Sequence, residues 1–193
     1  MYRVLTCLTT EHDWRLVVLA GTICWFASAV AISLFHRARA SRGRTRAVWV
    51  CLDAAVGGCG IWATHFVAML AYETGAGAGY NIPVTLMSLI FAVSIAAVGL
   101  SVALLNDRRS TLAMGGAIVG AGVAAMHYTG MMALELPARI VWSPGIVLAS
   151  VAFGSLFASI ALVVAARRDD RKHRRQAQAG EGIARYAGRR GLA

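Results

Sequence analysis

Charge is scarce in this sequence. Asp, Glu, Lys and Arg make up only 15% of its 193 residues, against 58% hydrophobic residues and a mean hydropathy of +0.62. A soluble globular domain carries more charge than this. The four cysteines, Cys7, Cys24, Cys51 and Cys59, form no Cys-x-x-Cys pair, which argues against a zinc site built from them. Three of them fall in long apolar runs and are expected to be small buried residues. No nucleophile–base arrangement appears, so no enzyme is expected. No apolar run is broken by Gly and Pro at mid-membrane, and few charges fall within the runs, which speaks against a transporter.

What the chain has instead is long apolar stretches. A stretch of about 18 or more such residues reads as a membrane-spanning helix. Five are expected, near Trp14–Phe35, Ala47–Tyr72, Pro83–Leu105, Thr111–Leu134 and Pro144–Ala166. The fold class is therefore all-α, a polytopic membrane helical bundle. The net charge of +10 does not indicate nucleic acid, because no basic face survives once the spans are set aside. The basic residues gather in the first connection (Arg37, Arg39, Arg42, Arg44, Arg46), in the third (Arg108, Arg109) and after Ala166. The second connection has none and the fourth only Arg139. That alternation places the first and third connections and the tail in the cytoplasm, with the N-terminus outside.

Three regions follow: an external N-terminus (1–13), a transmembrane domain (14–166) and a basic cytoplasmic tail (167–193). The N-terminus is not read as a signal peptide, since the first apolar run is long and a basic stretch follows it. Arg167, Arg168, Arg171, Lys172, Arg174 and Arg175 form a dense cluster, read as a solvated topology anchor that anionic lipid headgroups could also meet. The tail beyond it is short and polar and is expected to be disordered. Asn81 before Pro83, and Ser143 before Pro144, mark helix starts. Trp14, Tyr72, Tyr80 and Trp142 suit an interfacial aromatic belt.

The sequence also repeats itself. Shifted by 62 residues, Gly58 falls on Gly120, Gly60 on Gly122, His65 on His127, Met69 on Met131, Glu73 on Glu135, Tyr80 on Trp142 and Ser88 on Ser150. Matching across a span, a loop and the next span means a repeated two-helix unit. A weaker echo pairs Asp13 with Asn81 and Leu16 with Val84.

The repeat carries the chemistry. His65 and His127 lie at one expected depth, about two turns from the outer ends of their spans. An ionisable residue inside a span is costly and usually faces protein or water. Each has a Met four residues later, on the same helix face. Imidazole nitrogen with thioether sulfur is a soft ligand set suited to copper, especially Cu(I). The alternative is a buried His held by interhelical hydrogen bonds, with Met as core filler. Gly57, Gly58 and Gly60 on span two, and the Gly116-x-x-x-Gly120 step on span four, are expected to let these two spans touch. Asp53 is expected to pair with an Arg of the first connection. A proton relay and an interhelical hydrogen bond are its other readings. Tyr128 and Thr129 are candidates to orient His127.

The run Ala124-Ala125-Met126-His127-Tyr128-Thr129-Gly130-Met131 resembles the signature of the MHYT domain, a bacterial integral membrane sensor domain. Trp62-Ala63-Thr64-His65-Phe66-Val67-Ala68-Met69 looks like a degraded copy, with Thr64, Phe66, Val67 and Ala68 in place of the motif's Met, Tyr, Thr and Gly. The resemblance covers the chain to about Ala166. It implies copper held at the outer face by His65, Met69, Met126, His127 and Met131, with Tyr128 and Thr129 around them. It also implies sensing of oxygen, carbon monoxide or nitric oxide. Members of the family usually have three copies and often carry cytoplasmic output domains. Two copies and no output domain are read here, so a signal is expected to pass to a partner, and two chains could assemble to complete a site. The sequence reading is thus a metal-binding sensor in the bacterial inner membrane. A haem protein with His65 and His127 as axial ligands, and a structural membrane protein without metal, are the competing readings.

Overall fold

A computed structural model describes residues 13–71, 79–106, 108–135 and 142–190. Five long helices account for nearly all of them: α1 (Trp14–Ala40), α2 (Gly43–Leu70), α3 (Ile82–Ala103), α4 (Arg109–Met132) and α5 (Pro144–Arg190). Two short strands, β1 (Gly79–Tyr80) and β2 (Leu134–Glu135), pair antiparallel at one end. All five helices are long and apolar enough to cross a membrane, α5 over Pro144–Arg171. The shortest, at 22 residues, rises about 33 Å at 1.5 Å per residue, enough for a hydrocarbon core of about 30 Å. The chain is a multi-pass membrane protein.

Successive helices run antiparallel and pack side by side in chain order, with α1 also meeting α5. The outer surface is apolar: Trp25, Phe26, Ile90, Phe153 and Phe157 are all more than half exposed. A bilayer makes this stable, because lipid tails are as apolar as the side chains facing them. Cys24, Cys51 and Cys59 lie on this surface, exposed and unpaired, rather than buried as the sequence suggested. Burial of apolar groups is a rule for water, and lipid removes the reason for it. Cys7 lies outside the described residues, as do Tyr72 and Glu73.

The repeat is written into the packing. Asp13 N–H donates to the Ala71 carbonyl at 2.9 Å, and at the matching place Asn81 N–H donates to the Ala133 carbonyl at 2.8 Å. Both residues also cap their helices: the Asp13 carboxylate accepts from Arg15 N–H and the Asn81 amide oxygen from Val84 N–H. Gly58 lies against Val93 of α3 as Gly120 lies against Ser155 of α5, and Gly60 against Ala27 of α1 as Gly122 against Ile95 of α3. Each of these pairs is related by the offsets read from the sequence. The unit α1–α2–α3 therefore recurs as α3–α4–α5.

Two packing expectations are corrected here. Gly116 and Gly120 do not bring α4 onto α2; they lie against Ser159 and Ser155 of α5. Gly57 and Gly60 face Ala31 and Ala27 of α1. The small residues serve the crossing of neighbouring helices, while α2 and α4 approach each other only lightly.

The opposite end of the bundle holds the arginines. Arg39 donates to the Ala166 carbonyl at 2.9 Å and pairs with Asp170 at 3.2 Å and Asp169 at 3.7 Å, tying α1 to α5. Arg46 caps the Ser41 and Leu104 carbonyls, and Arg37 lies over the Trp49 ring. Asp53 has no hydrogen-bond or ion-pair partner among the described residues, so the expected pairing with an arginine does not form. These arginines are taken up by carbonyls, by α5 and by an aromatic face. The last helix also differs from expectation: it continues through the polar segment to Arg190. Ala, Arg and Gln are strong helix formers there, and no proline interrupts them.

Candidate metal-binding site

The two histidines meet. His65, five residues before the end of α2, and His127, five residues before the end of α4, bring their Nδ1 atoms to 3.4 Å. The ring centroids are 4.9 Å apart and the rings stand edge to face at 73°. That separation is long for a hydrogen bond from a ring N–H. His65 is half-buried and His127 exposed. His65 Nε2 is buried without a hydrogen-bond partner among the described residues.

Gly130 makes the approach possible. A Cβ at this position would lie 2.8 Å from His65 Nε2 and 3.3 Å from the Phe66 ring. The imidazole therefore rests on bare α4 backbone. The sequence displayed Gly130 inside the motif, but its role comes from an α2–α4 crossing that spacing along one chain does not reveal.

The methionines divide. Met69 and Met131 sit one turn beyond His65 and His127, on the same helix faces, and both are half-buried. Met126 is 1% exposed and among the largest fully buried side chains. It shares the buried stripe of α4 with Gly122 and Gly130, four residues to either side. Among the described residues no group of three or more His, Cys, Asp or Glu side chains gathers.

Aromatic rings frame the pair in matched fashion. Phe66 packs on Tyr80 at 5.7 Å between centroids, and Tyr128 on Trp142 at 5.3 Å. Phe66 also lies edge-on to His65 and Tyr128 to His127, each at 5.0 Å. The Tyr128 hydroxyl is hydrogen-bonded to the Ser150 hydroxyl of α5, so it reaches away from His127 and meets that imidazole through its ring. Thr129 offers its carbonyl to Ala133 N–H at 3.1 Å. In the first copy, the Trp62 indole N–H donates to Ser88 at 3.1 Å. Burial pushes the Tyr80 phenol above its usual pKa, keeping it a neutral ring at this end.

Comparison with known proteins agrees with this repeat. The MHYT family, described as a bacterial signalling protein N-terminal repeat, matches residues 58–117 and again 120–177. The chain belongs to the MHYT family. The two matches begin at Gly58 and Gly120, the offset that also relates His65 to His127. An uncharacterized signaling protein of Caulobacter vibrioides is 40% identical over 93% of the chain and 22% of its own length. A bifunctional diguanylate cyclase/cyclic di-GMP phosphodiesterase, MucR of Pseudomonas aeruginosa, is 36% identical over 71% of the chain and 20% of its own length. The cyclic di-GMP phosphodiesterase NbdA of the same organism is 37% identical over 77% of the chain and 19% of its own length. The chain thus spans about a fifth of the length of these curated relatives and corresponds to their MHYT signalling region. No solved structure matches it.

Proposed function

We propose that this MHYT domain is a membrane sensor that holds a copper ion between His65 and His127, at an end of the bundle facing outward. The observation that carries the reading is the convergence of the two Nδ1 atoms at 3.4 Å. Two imidazole nitrogens, each about 2.0–2.1 Å from one ion in tetrahedral geometry, are separated by about 3.3–3.4 Å. Met69 and Met131, one turn along the same faces, are the nearest sources of the sulfur that a soft ion prefers. Met126 is buried in the helix seam and suits a packing role better than a ligand role. Copper would supply a one-electron redox couple and an affinity for small diatomic molecules. Haem is supported less well, because a macrocycle lies between its two axial ligands and these rings are in edge contact.

The residues around the pair supply position and linkage. Gly130 and Phe66 hold the His65 ring, and the Tyr128 ring lies against His127 while its hydroxyl engages Ser150. A shift of His127 is thereby communicated to α5, the helix that runs past the arginine end to Arg190. An output unit joined to α5, or a separate partner, would receive it; cyclic di-GMP enzymes such as those named for two relatives are the favoured class. The basic residues at the arginine end support a cytoplasmic placement of that end, and a reporter fused after Ala193 is expected to read cytoplasmic.

Metal analysis and the visible spectrum of the purified protein test the site. Copper at about one ion per chain, lost in the His65→Ala/His127→Ala variant, is the expected result. Undiminished copper in that variant removes the site, and a haem spectrum replaces it with the competing reading.

A further inference from the structure

Asp53 is the one buried carboxylate among the described residues, and the metal reading does not use it. It is 4% exposed, lies in the second span nearer its arginine end, and has no hydrogen-bond or ion-pair partner among the described residues. It lines a cavity of about 190 Å³ to which all five helices contribute, through Phe35, Ile61, Leu100, Val119 and Leu162 as well as Asp53 itself. Every other wall is apolar. A carboxylate left alone in such surroundings costs several kcal/mol when ionised. An intramembrane ionisable residue of this kind points to a function.

The repeat shows that the acid is not part of the packing template. The second copy has Gly115 where the first has Asp53. Gly115 makes a close crossing there with Gly99 and Ala103 of α3. At Asp53 the matching residues of α1, Ala31 and Phe35, line the cavity instead. The cavity shares Ile32, Ala161 and Ala165 with a second cleft of about 290 Å³ between α1 and α5, which ends on His36, Arg168 and Asp169. The two spaces are therefore neighbours, the second lying toward the arginine end of the bundle.

From this placement we infer that the cavity is a binding site for a small ammonium compound with an apolar body, Asp53 being its counter-ion. An anion would meet the carboxylate and nothing to offset it. A bare metal cation needs several oxygen ligands, and the cavity offers one carboxyl group. An amine with an aromatic or aliphatic body matches both features: its charge pairs with Asp53 and its body lies against the apolar walls. A cavity of about 150 Å³ lined by aliphatic residues holds benzene, so the volume suits a ring bearing one aminomethyl group. His36 Nδ1 lies 3.5 Å from the Asp169 carboxylate, and Arg39 is committed to α5. Among the described residues no basic side chain lines the cavity beside Asp53.

The test uses the purified full chain in detergent, with benzylammonium as probe and benzyl alcohol as its neutral counterpart, read by calorimetric titration. Saturable benzylammonium binding is expected, weakened at least about tenfold, or ~1.4 kcal/mol, in Asp53→Asn. Benzyl alcohol is expected to bind more weakly and to be indifferent to that substitution. Leu162→Phe keeps the carboxyl and fills the cavity, and is expected to abolish binding even if Asp53→Asn fails to fold. No saturable binding, equal affinity for the two probes, or binding unchanged by Leu162→Phe would each overturn the proposal. Copper content serves as an independent control, since His65 and His127 lie outside the cavity.

Discussion

Gly130 of α4 and His65 of α2 are in direct contact, the imidazole Nε2 lying only 2.8 Å from where a β-carbon would be. This contact, not a glycine stripe, joins the two helices that carry the histidines. It also explains an asymmetry between the copies. The first repeat has Ala68 at the corresponding position, on the exposed surface of α2, where no imidazole rests on it.

Gly130→Ala is therefore expected to push the His65 ring away from His127. A Cβ 2.8 Å from Nε2 and 3.1 Å from Cδ2 cannot be accommodated without rotating the ring. Helix propensity improves by about 0.5–1 kcal/mol with the same change, so global stability should hold. The expected signature is a melting temperature near that of the unchanged protein with copper affinity reduced about tenfold, or ~1.4 kcal/mol. Unaltered copper affinity would show that the ring pair is not the site.

Much of this architecture was legible in the residues, and for a definite reason. Span number follows from apolar length, a property of the chain and not of its packing. The repeat was visible because matched residues perform matched contacts, as Asp13 and Asn81 do at their two carbonyls. The common level of His65 and His127 followed from the repeat, but their contact was expected from a glycine packing that α4 makes with α5 instead. What could not be read was which helix each small residue faces. Gly116 and Gly120 form an association motif whichever partner they have, and only the assembled bundle places α5 against them. Asp53 was mispaired for a similar reason, since arginines near in sequence are taken up by backbone carbonyls, an aromatic face and the α5 carboxylates Asp169 and Asp170.

The α4–α5 crossing offers a contrast between two glycines. At Gly120 a Cβ would meet Ser155 Cα at 2.5 Å and the Gly154 carbonyl at 2.7 Å, both backbone atoms that cannot step aside. Gly154 has nothing within 4 Å of its own Cβ position. Gly120→Val should destabilise by at least about 1–3 kcal/mol through forced separation of the helices. Gly154→Ala should be neutral, or stabilising by at most about 1 kcal/mol. Thermal melting in detergent distinguishes the two, and equal effects would contradict the crossing.

Tyr128→Phe isolates the link to α5. The first repeat already has Phe66 in this place, so the ring fits without its hydroxyl. Removing the bond to Ser150 should cost about 0.6 kcal/mol, the average for an interhelical hydrogen bond in a membrane protein. Copper content should be unchanged, because the aromatic edge against His127 remains. A loss of copper would mean that the hydroxyl holds the imidazole in position after all.

Metal preference tests the thioethers. Met69 and Met131 each follow a histidine by one turn, and both are half-buried, with no cluster of harder ligands nearby among the described residues. Leucine conserves most of their volume and apolarity, so Met69→Leu/Met131→Leu should leave folding within about 1.5 kcal/mol of the unchanged protein. What it removes is sulfur. Thioethers favour Cu(I), while zinc is content with imidazole. The double variant should therefore lose Cu(I) affinity about tenfold or more and Zn(II) affinity much less. Competition titrations with each ion, on protein of verified melting temperature, read the difference directly. Parallel losses for the two ions would mean that the histidines act without sulfur, and that the methionines are packing residues in both copies.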